Sequence, residues 1–325
     1  MEDMTLTIDH LKSGFFTLNG YVPAVDDVSI RVPKGKIVGI VGESGCGKSI
    51  TARSIIGLLK YPGKITGGSI RLGDRELTNL PAKEMRKVRG GEIAMIFQEP
   101  MTSLNPVVKV GKQVREALLL HGDCTKAEAK AEVLRIFQKV GISEPEKRYN
   151  CYPHELSGGL RQRVMIAMAM ICKPKLLIAD EPTTALDVTI EAQILKLMQD
   201  LRREENMSMV LISHNLGVIA ELCDYVYVMY AGKIVEQGDT LSLFRDPKHP
   251  YTQGLLASVI PLDRPQKRLA TIPGVVPNLL HLPKGCGFST RCPYATEKCR
   301  EARPELISCG ENRMCRCFRQ EENHG

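Results

Sequence analysis

Long apolar runs are absent from this chain. The longest, Val164 to Cys172, has nine residues, whereas a helix needs about 20 to cross a bilayer. The opening MEDMTLTIDHLK lacks a basic start followed by an apolar stretch, so no secretory signal is expected. Dense Lys/Arg stretches with interleaved aromatics are also missing. The net charge of +7 divides into +3 over residues 1–245 and +4 over residues 246–325, where 12 Lys/Arg face 8 Asp/Glu. That mildly basic end reads as a solvated face, and no nucleic-acid partner is expected. No internal repeat is present. Cysteine is sparse until the chain is nearly over: Cys46, Cys124, Cys151, Cys172 and Cys223 are scattered, and the other six of eleven crowd into residues 286–317. What remains is ordinary for a soluble protein, with 43% hydrophobic and 25% charged residues. A length of 325 residues suggests two domains.

Lys36 to Val41 is a short apolar run suited to a strand buried on both faces. GESGCGKS, residues 42–49, follows it directly, and TARSIIGLL then reads as a helix. This is a complete G-x-x-x-x-G-K-[ST] phosphate loop in its strand–loop–helix setting. Gly42, Gly45 and Gly47 let the backbone wrap an anion, with successive N–H groups and the helix N-terminus facing it. Lys48 is expected to reach the β- and γ-phosphates, and the Ser49 hydroxyl to ligate Mg²⁺. The expected ATP contacts run through Ser44, Gly45, Cys46, Gly47, Lys48, Ser49 and Ile50. Cys46 reads as a small space-filler, not as a redox thiol.

Leu176 to Ala179 form a second apolar strand, ending in Asp180-Glu181. Strand carboxyl ends line the ligand crevice of a parallel sheet, so both acids are expected beside the phosphates. Asp180 suits outer-sphere Mg²⁺ binding, and Glu181 suits the polarising of an attacking water. The stretch LSGGLRQR, residues 156–163, leads into another helix. Ser157 can cap that helix, and Gly158-Gly159 leave its amides bare for an anion.

With these motifs the sequence resembles the ATP-binding cassette of ABC transporters, in which the signature completes the nucleotide site of the opposing subunit. Leu160 stands where the commonest signature has Gln. IFQEP places Gln98 at a strand end, where the resemblance implies contact with ATP and Mg²⁺ and a part in catalysis. Ala185 to Asp187 resemble the D-loop, and VLISHN sets His214 as the switch histidine. The aromatic that stacks on adenine in such cassettes is expected at Tyr21, with Phe15 or Phe16 as alternatives. MIFQEPMTSLNP, YPHELSGG, ADEPTTALDVTI, VMYAGKIVEQGD, HPYTQGLL and PGVVPN are similar to the dipeptide, oligopeptide and nickel permease branch, and within it to the D-type ATPase subunits.

The implied fold is α/β: a P-loop ABC ATPase core with an antiparallel β subdomain and a helical subdomain, plus a small irregular cysteine-rich C-terminal domain. Residues 5–35 and 65–75 alternate like strands, and residues 103–165 read as the helical part. There, Val133, Ile136, Phe137 and Val140 share one face, and Gly141 can end the helix. MYAGKIVEQG predicts a hairpin turning at Ala231-Gly232. The chain becomes proline-rich after Phe244, which sets the expected boundary between residues 1–245 and 246–325.

The resemblance implies a motor subunit of a peptide importer at the cytoplasmic face of the cell membrane. Its implied partners are a second cassette subunit in a heterodimer, two integral membrane permease subunits and, indirectly, an extracytoplasmic peptide-binding protein. A nickel or other-solute importer of the same branch is one alternative. A soluble cassette of translation or DNA repair is another, though such proteins fuse two cassettes or carry nucleic-acid modules. A regulatory subunit binding a small ligand or partner through its C-terminal domain is a third.

The crowded thiols admit disulfides, zinc or an iron–sulfur cluster. A reducing cytosol disfavours disulfides, and zinc modules usually show C-x₂₋₄-C pairs, against the C-x₅-C-x₆-C found here. Spacing alone leaves a cluster, zinc and free thiols open. The D-type ATPases, some of which carry a [4Fe–4S] cluster, resemble this chain in G-C-x-x-x-x-R-C-P-x-A-x-x-x-C. The resemblance implies cluster ligands Cys286, Cys292 and Cys299, with Cys317 before Phe318 in the fourth place. Cys309 and Cys315 are left over.

Overall fold

The computed structural model describes residues 3–98, 103–184, 186–258 and 271–321. Its strands are β1 (Met4–Thr17), β2 (Gly20–Pro33), β3 (Ile37–Val41), β4 (Gly63–Leu72), β5 (Arg75–Glu76), β6 (Ile93–Ile96), β7 (Leu176–Asp180), β8 (Ser208–Ile212), β9 (Tyr225–Tyr230), β10 (Lys233–Asp239), β11 (Ile307–Gly310) and β12 (Arg313–Cys315). The chain forms two compact units. One comprises Met1–Thr5, Pro33–Lys36 and Asn79–Val210, and the other Leu6–Val32, Ile37–Thr78 and Leu211–Gly325.

In the first unit β6 and β7 run parallel, from Ile93 opposite Leu176 to Ile96 opposite Ala179. Every residue of β7 is buried, as a strand covered on both faces requires. The helical part comprises Val110–His121, Lys126–Lys139, Pro145–Tyr149 and Gly158–Met170. Thr125 starts the second of these with a capping box, its side chain accepting from the Glu128 N–H while the Glu128 carboxylate takes the Thr125 N–H. Val133, Ile136, Phe137 and Val140 are all buried, so the expected stripe is core. Gly141 follows in the left-handed conformation, φ 74°, and ends the helix as expected.

In the second unit, β2-β1-β4-β5 form the antiparallel sheet that the alternation predicts. β1 pairs with β4 from Leu6 opposite Leu72 to Phe15 opposite Gly63. Leu6, Ile8, Leu11, Val28, Ile30 and Val32 fill its covered face. A second run has the neighbour order β11-β12-β10-β9-β3. β3 lies parallel to β9, with Val38 opposite Tyr225 and Val41 opposite Val228. β9 and β10 form the expected hairpin. Ala231 and Gly232 carry φ of 46° and 83°, the twist that a two-residue turn between right-handed strands demands.

Residues 246–325 do not stand as a separate small domain. They share a compact unit with the phosphate-loop strand and the antiparallel sheet, and β12 pairs with β10, Glu236 opposite Cys315 and Gln237 opposite Met314. The proline-rich composition past Phe244 marks a change of texture, not a break in packing. Glu236 explains why: it is fully buried. Its carboxylate accepts from the Lys248 and His249 N–H groups, each at 2.8 Å, and from the Arg313 guanidinium at 3.0 Å. A buried carboxylate needs such partners, and they all come from beyond residue 245.

Candidate nucleotide site

The phosphate loop joins β3 to the helix Lys48–Ile55. Gly47 caps that helix at φ 110°, a conformation L-residues avoid. A Cβ there would also meet the Ala24 carbonyl oxygen at 2.5 Å. Both conformation and space demand glycine. Cys46 is buried, and burial pushes its thiol pKa up, which fits a space-filler and not a reactive thiolate. Lys48 is also buried. Its Nζ donates to the Gly42 carbonyl at 2.7 Å and the Glu43 carbonyl at 3.0 Å, a pose from which it can reach a phosphate. Ser44 and Gly45 are exposed, and Ser49 and Ile50 half-buried.

Tyr21 and Phe16 form an aromatic pair with ring centroids 4.9 Å apart. The Tyr21 hydroxyl shares a 3.1 Å hydrogen bond with Thr66 Oγ1. Phe16 is 51% exposed, with Lys64 Nζ 5.9 Å from its ring centroid. Phe15 turns instead toward Gly63.

At the end of β7, Asp180 is buried. Glu181 follows with φ 48°, a left-handed conformation unusual for a non-glycine residue and common at functional sites. Its Oε2 accepts from Gln98 Nε2 at 3.0 Å and from Thr184 Oγ1 at 3.1 Å. Two expected site residues, Gln98 and Glu181, are thus brought together. The carboxamide and carboxylate oxygens of Gln98 and Asp180, both in the first unit, are hard donors of the type that suits Mg²⁺.

Ser157 caps the helix Gly158–Met170, accepting from the Leu160 N–H at 3.4 Å. Ser157 and Gly158 are exposed and Gly159 half-exposed, so the signature end of the helix is open. Asp187 caps the helix Val188–Glu204 through Ile190 N–H at 2.9 Å, and Ala185 lies outside the described residues. His214, just past β8, is exposed, and Asn215 behind it caps the helix Leu216–Leu222.

Three contributions escape sequence reasoning. Buried Gln162 donates from Nε2 to the Pro182 carbonyl, tying the signature helix to the loop after Glu181. Thr183 Oγ1 donates to Glu191 at 2.7 Å, stiffening that same loop. Glu43 binds two residues from beyond residue 245, Tyr251 and Arg291. HPYTQGLL and the Arg of G-C-x-x-x-x-R-C-P, read as family marks, contain these two residues but say nothing of what they meet.

All eleven cysteines are free. Among the described residues, no three His, Cys, Asp or Glu side chains are arranged to hold a metal ion. The expected four-thiolate centre is therefore not assembled in this geometry, although its members are neighbours. The Cys317 thiol is pushed up to about 11, by burial first and then by the nearby thiols of Cys286, Cys292 and Cys299. The Cys286 N–H donates to the Cys299 carbonyl at 2.8 Å. Cys315 is fully buried; burial pushes its thiol up, with Glu236 the strongest neighbour.

The phosphate loop in one unit, and the acidic strand end and capped signature helix in the other, are each marks of an ATP-binding cassette. Residues 25–184 match the family model for the ABC transporter, and residues 235–299 match that for the oligopeptide/dipeptide transporter C-terminal region. The chain is 50% identical over 318 residues to the oligopeptide transport ATP-binding protein AppD of Bacillus subtilis, covering 98% of this chain and 97% of the relative. It is 51% identical to OppD of Escherichia coli, covering 98% and 94%, and 47% identical to the dipeptide transport ATP-binding protein DppD of the same organism, covering 96% and 95%. Among solved structures it is similar to the dimeric bacterial ABC transporter cassette MJ0796, with TM-score 0.65 and 25% identity over 72% of this chain and 98% of that one. The same cassette is known bound to ADP and Pi after hydrolysis, with the same TM-score, identity and coverage. The chain belongs to the ATP-binding subunits of oligopeptide and dipeptide ABC transporters, a family of ATP hydrolases. Among the described residues, no helix is long and apolar enough to cross a membrane.

Proposed function

We propose that this chain is the ATP-hydrolysing motor of an importer of dipeptides and oligopeptides, working at the cytoplasmic face of the membrane. The observation that carries the reading is the extent of the likeness to peptide-transport subunits, 51% identity over 320 residues in one case. It includes the stretch matched to the transporter C-terminal region, residues 235–299. The partners in this reading are a second, non-identical cassette, two membrane permease subunits and, indirectly, a peptide-binding protein. The test is reconstitution of the chain with those partners in lipid vesicles. Peptide uptake coupled to ATP hydrolysis is expected. Uptake of nickel without peptide would reassign the solute, and hydrolysis indifferent to the membrane subunits would favour a soluble cassette protein.

In this reading residues Ser44 to Ile50 bind ATP, with Tyr21 beside the adenine. Ser49, Gln98 and Asp180 would hold Mg²⁺, which would supply charge neutralisation at the phosphates. Glu181 polarises the attacking water, and its hydrogen bonds to Gln98 and Thr184 support that role by aiming the carboxylate. His214 contacts the transferred phosphate. Ser157, Gly158 and Gly159 act on the partner's ATP, a role supported by their exposure.

Cys286, Cys292, Cys299 and Cys317 are the proposed ligands of a [4Fe–4S] cluster, which supplies a structural cross-link when bound. The support is the resemblance to the D-type ATPases in G-C-x-x-x-x-R-C-P-x-A-x-x-x-C, with the Cys286 N–H donating to the Cys299 carbonyl at 2.8 Å. Iron content and visible absorbance of anaerobically prepared protein test this independently of activity.

A further inference from the structure

Glu43, the second residue of GESGCGKS, is held from three directions. Its N–H donates to the Tyr251 hydroxyl at 2.8 Å, and its carbonyl accepts from Lys48 Nζ at 3.0 Å. Its carboxylate takes both arms of the Arg291 guanidinium, at 2.6 Å and 3.0 Å. The Arg291 side chain is only 3% exposed. Its remaining donors go to the Pro273 carbonyl at 2.9 Å, the Ile272 carbonyl at 3.3 Å and the Tyr230 hydroxyl at 3.4 Å. Tyr230 and Phe288 flank the cation, with ring centroids 5.8 Å and 6.0 Å from it. A two-pronged ion pair of this kind fixes orientation as well as distance, and a lysine cannot reproduce it.

We propose that Arg291 is a positioning residue for nucleotide binding, fixing the entry of the phosphate loop through the Glu43 carboxylate. The inference rests on the assignment of residues 42–49 as the phosphate loop. Lys48 is poised on the very carbonyl that Glu43 presents, so the placement of Glu43 sets the pose from which Lys48 turns to a phosphate. Preorganised donors give affinity because their ordering is complete before the ligand arrives. Arg291 immediately precedes Cys292, so the cysteine-rich stretch becomes part of the nucleotide-binding apparatus and not an appendage to it.

The test uses the full-length chain, with MgATP affinity measured by competition and hydrolysis measured in the assembled transporter. Glu43→Gln keeps the shape and removes the charge. Arg291→Gln and Arg291→Lys remove the cation or its fork. Each is expected to raise Kd and KM about tenfold or more while kcat stays within about threefold, because an unpaired buried charge disturbs the loop and not the chemistry. The double variant Glu43→Gln/Arg291→Gln is expected to be no worse than the worse single variant, as for a coupled pair. Thermal midpoints monitor folding. If the Arg291 variants do not fold, the partly exposed Glu43→Gln decides alone. Affinity within twofold of wild type for folded Glu43→Gln, additive losses, or a fall in kcat with KM unchanged would each overturn the proposal. Lys48→Ala separates the two levels: retained affinity there overturns the phosphate-loop assignment itself, whereas loss there with normal Glu43→Gln overturns only the role of Arg291.

Discussion

The Gln98 carboxamide donates to the Glu181 carboxylate at 3.0 Å, across 83 positions of sequence. The parallel pairing of β6 with β7 brings their carboxyl ends side by side, so the residues just past each strand meet. Thr184 Oγ1 donates to the same Glu181 oxygen at 3.1 Å.

Glu181→Gln preserves that shape and removes the charge. Turnover in the assembled transporter is expected to fall on the order of 10²-fold or more, the scale of a lost general base, with ATP affinity kept. Hydrolysis within tenfold of wild type would remove Glu181 from that role. His214→Ala is expected to slow hydrolysis with little change in affinity, and a large loss of affinity there would point to a structural role.

The observed helix cap of Ser157 and its proposed task in the signature can be told apart. As a helix cap through Leu160, its loss in Ser157→Ala costs about 1 kcal/mol of stability. As part of the signature, its loss should depress turnover only in the assembled cassette pair, leaving nucleotide affinity of the isolated chain intact. Full activity from a strictly monomeric preparation would contradict this second task.

Cysteine-to-serine replacement at each of the six C-terminal positions separates ligands from bystanders. Iron, at about four atoms per chain for a cubane cluster, should be lost on replacing Cys286, Cys292, Cys299 or Cys317 and retained on replacing Cys309 or Cys315. Stoichiometric zinc in iron-replete anaerobic cultures would exclude the cluster.

His249 gives a pH signature. It is buried, its Nδ1 accepts the Tyr251 N–H at 3.0 Å, and burial lowers its pKa to about 3 from 6.5. The unfolded chain takes up a proton below about 6.5 that the folded chain refuses. Stability from this group is therefore complete above about pH 6.5 and declines as the pH falls toward 3. Between about pH 7 and pH 5 the loss is about 2 kcal/mol. His249→Asn, which keeps a capping oxygen, should flatten urea midpoints over that interval, and an unchanged slope would assign the pH dependence elsewhere.

Local chemistry was legible in the sequence wherever a motif is contiguous. The phosphate loop, the apolar strand ending in Asp180-Glu181, the Ser157 cap, the Val133–Val140 stripe and the Ala231-Gly232 turn all lie within a dozen residues of their own signals. What was not legible is long-range pairing. Nothing in the spacing says that Glu43 meets Arg291, 248 positions away, or that Glu236 needs Arg313, 77 positions away. Each looks like a surface charge until its partner is known. The expected boundary at residue 245 differs from the observed packing for the same reason: composition changes there, but hydrogen bonds cross it.

β10 would otherwise present one margin of unpaired N–H and C=O groups, a template on which other chains can add a strand. β12 covers the middle of that margin, at Glu236 and Gln237. Cutting the chain after Arg245 would uncover the margin and strand the Glu236 carboxylate without Lys248, His249 and Arg313. Such a shortened cassette should aggregate on expression, whereas the full chain covers that part of the edge itself.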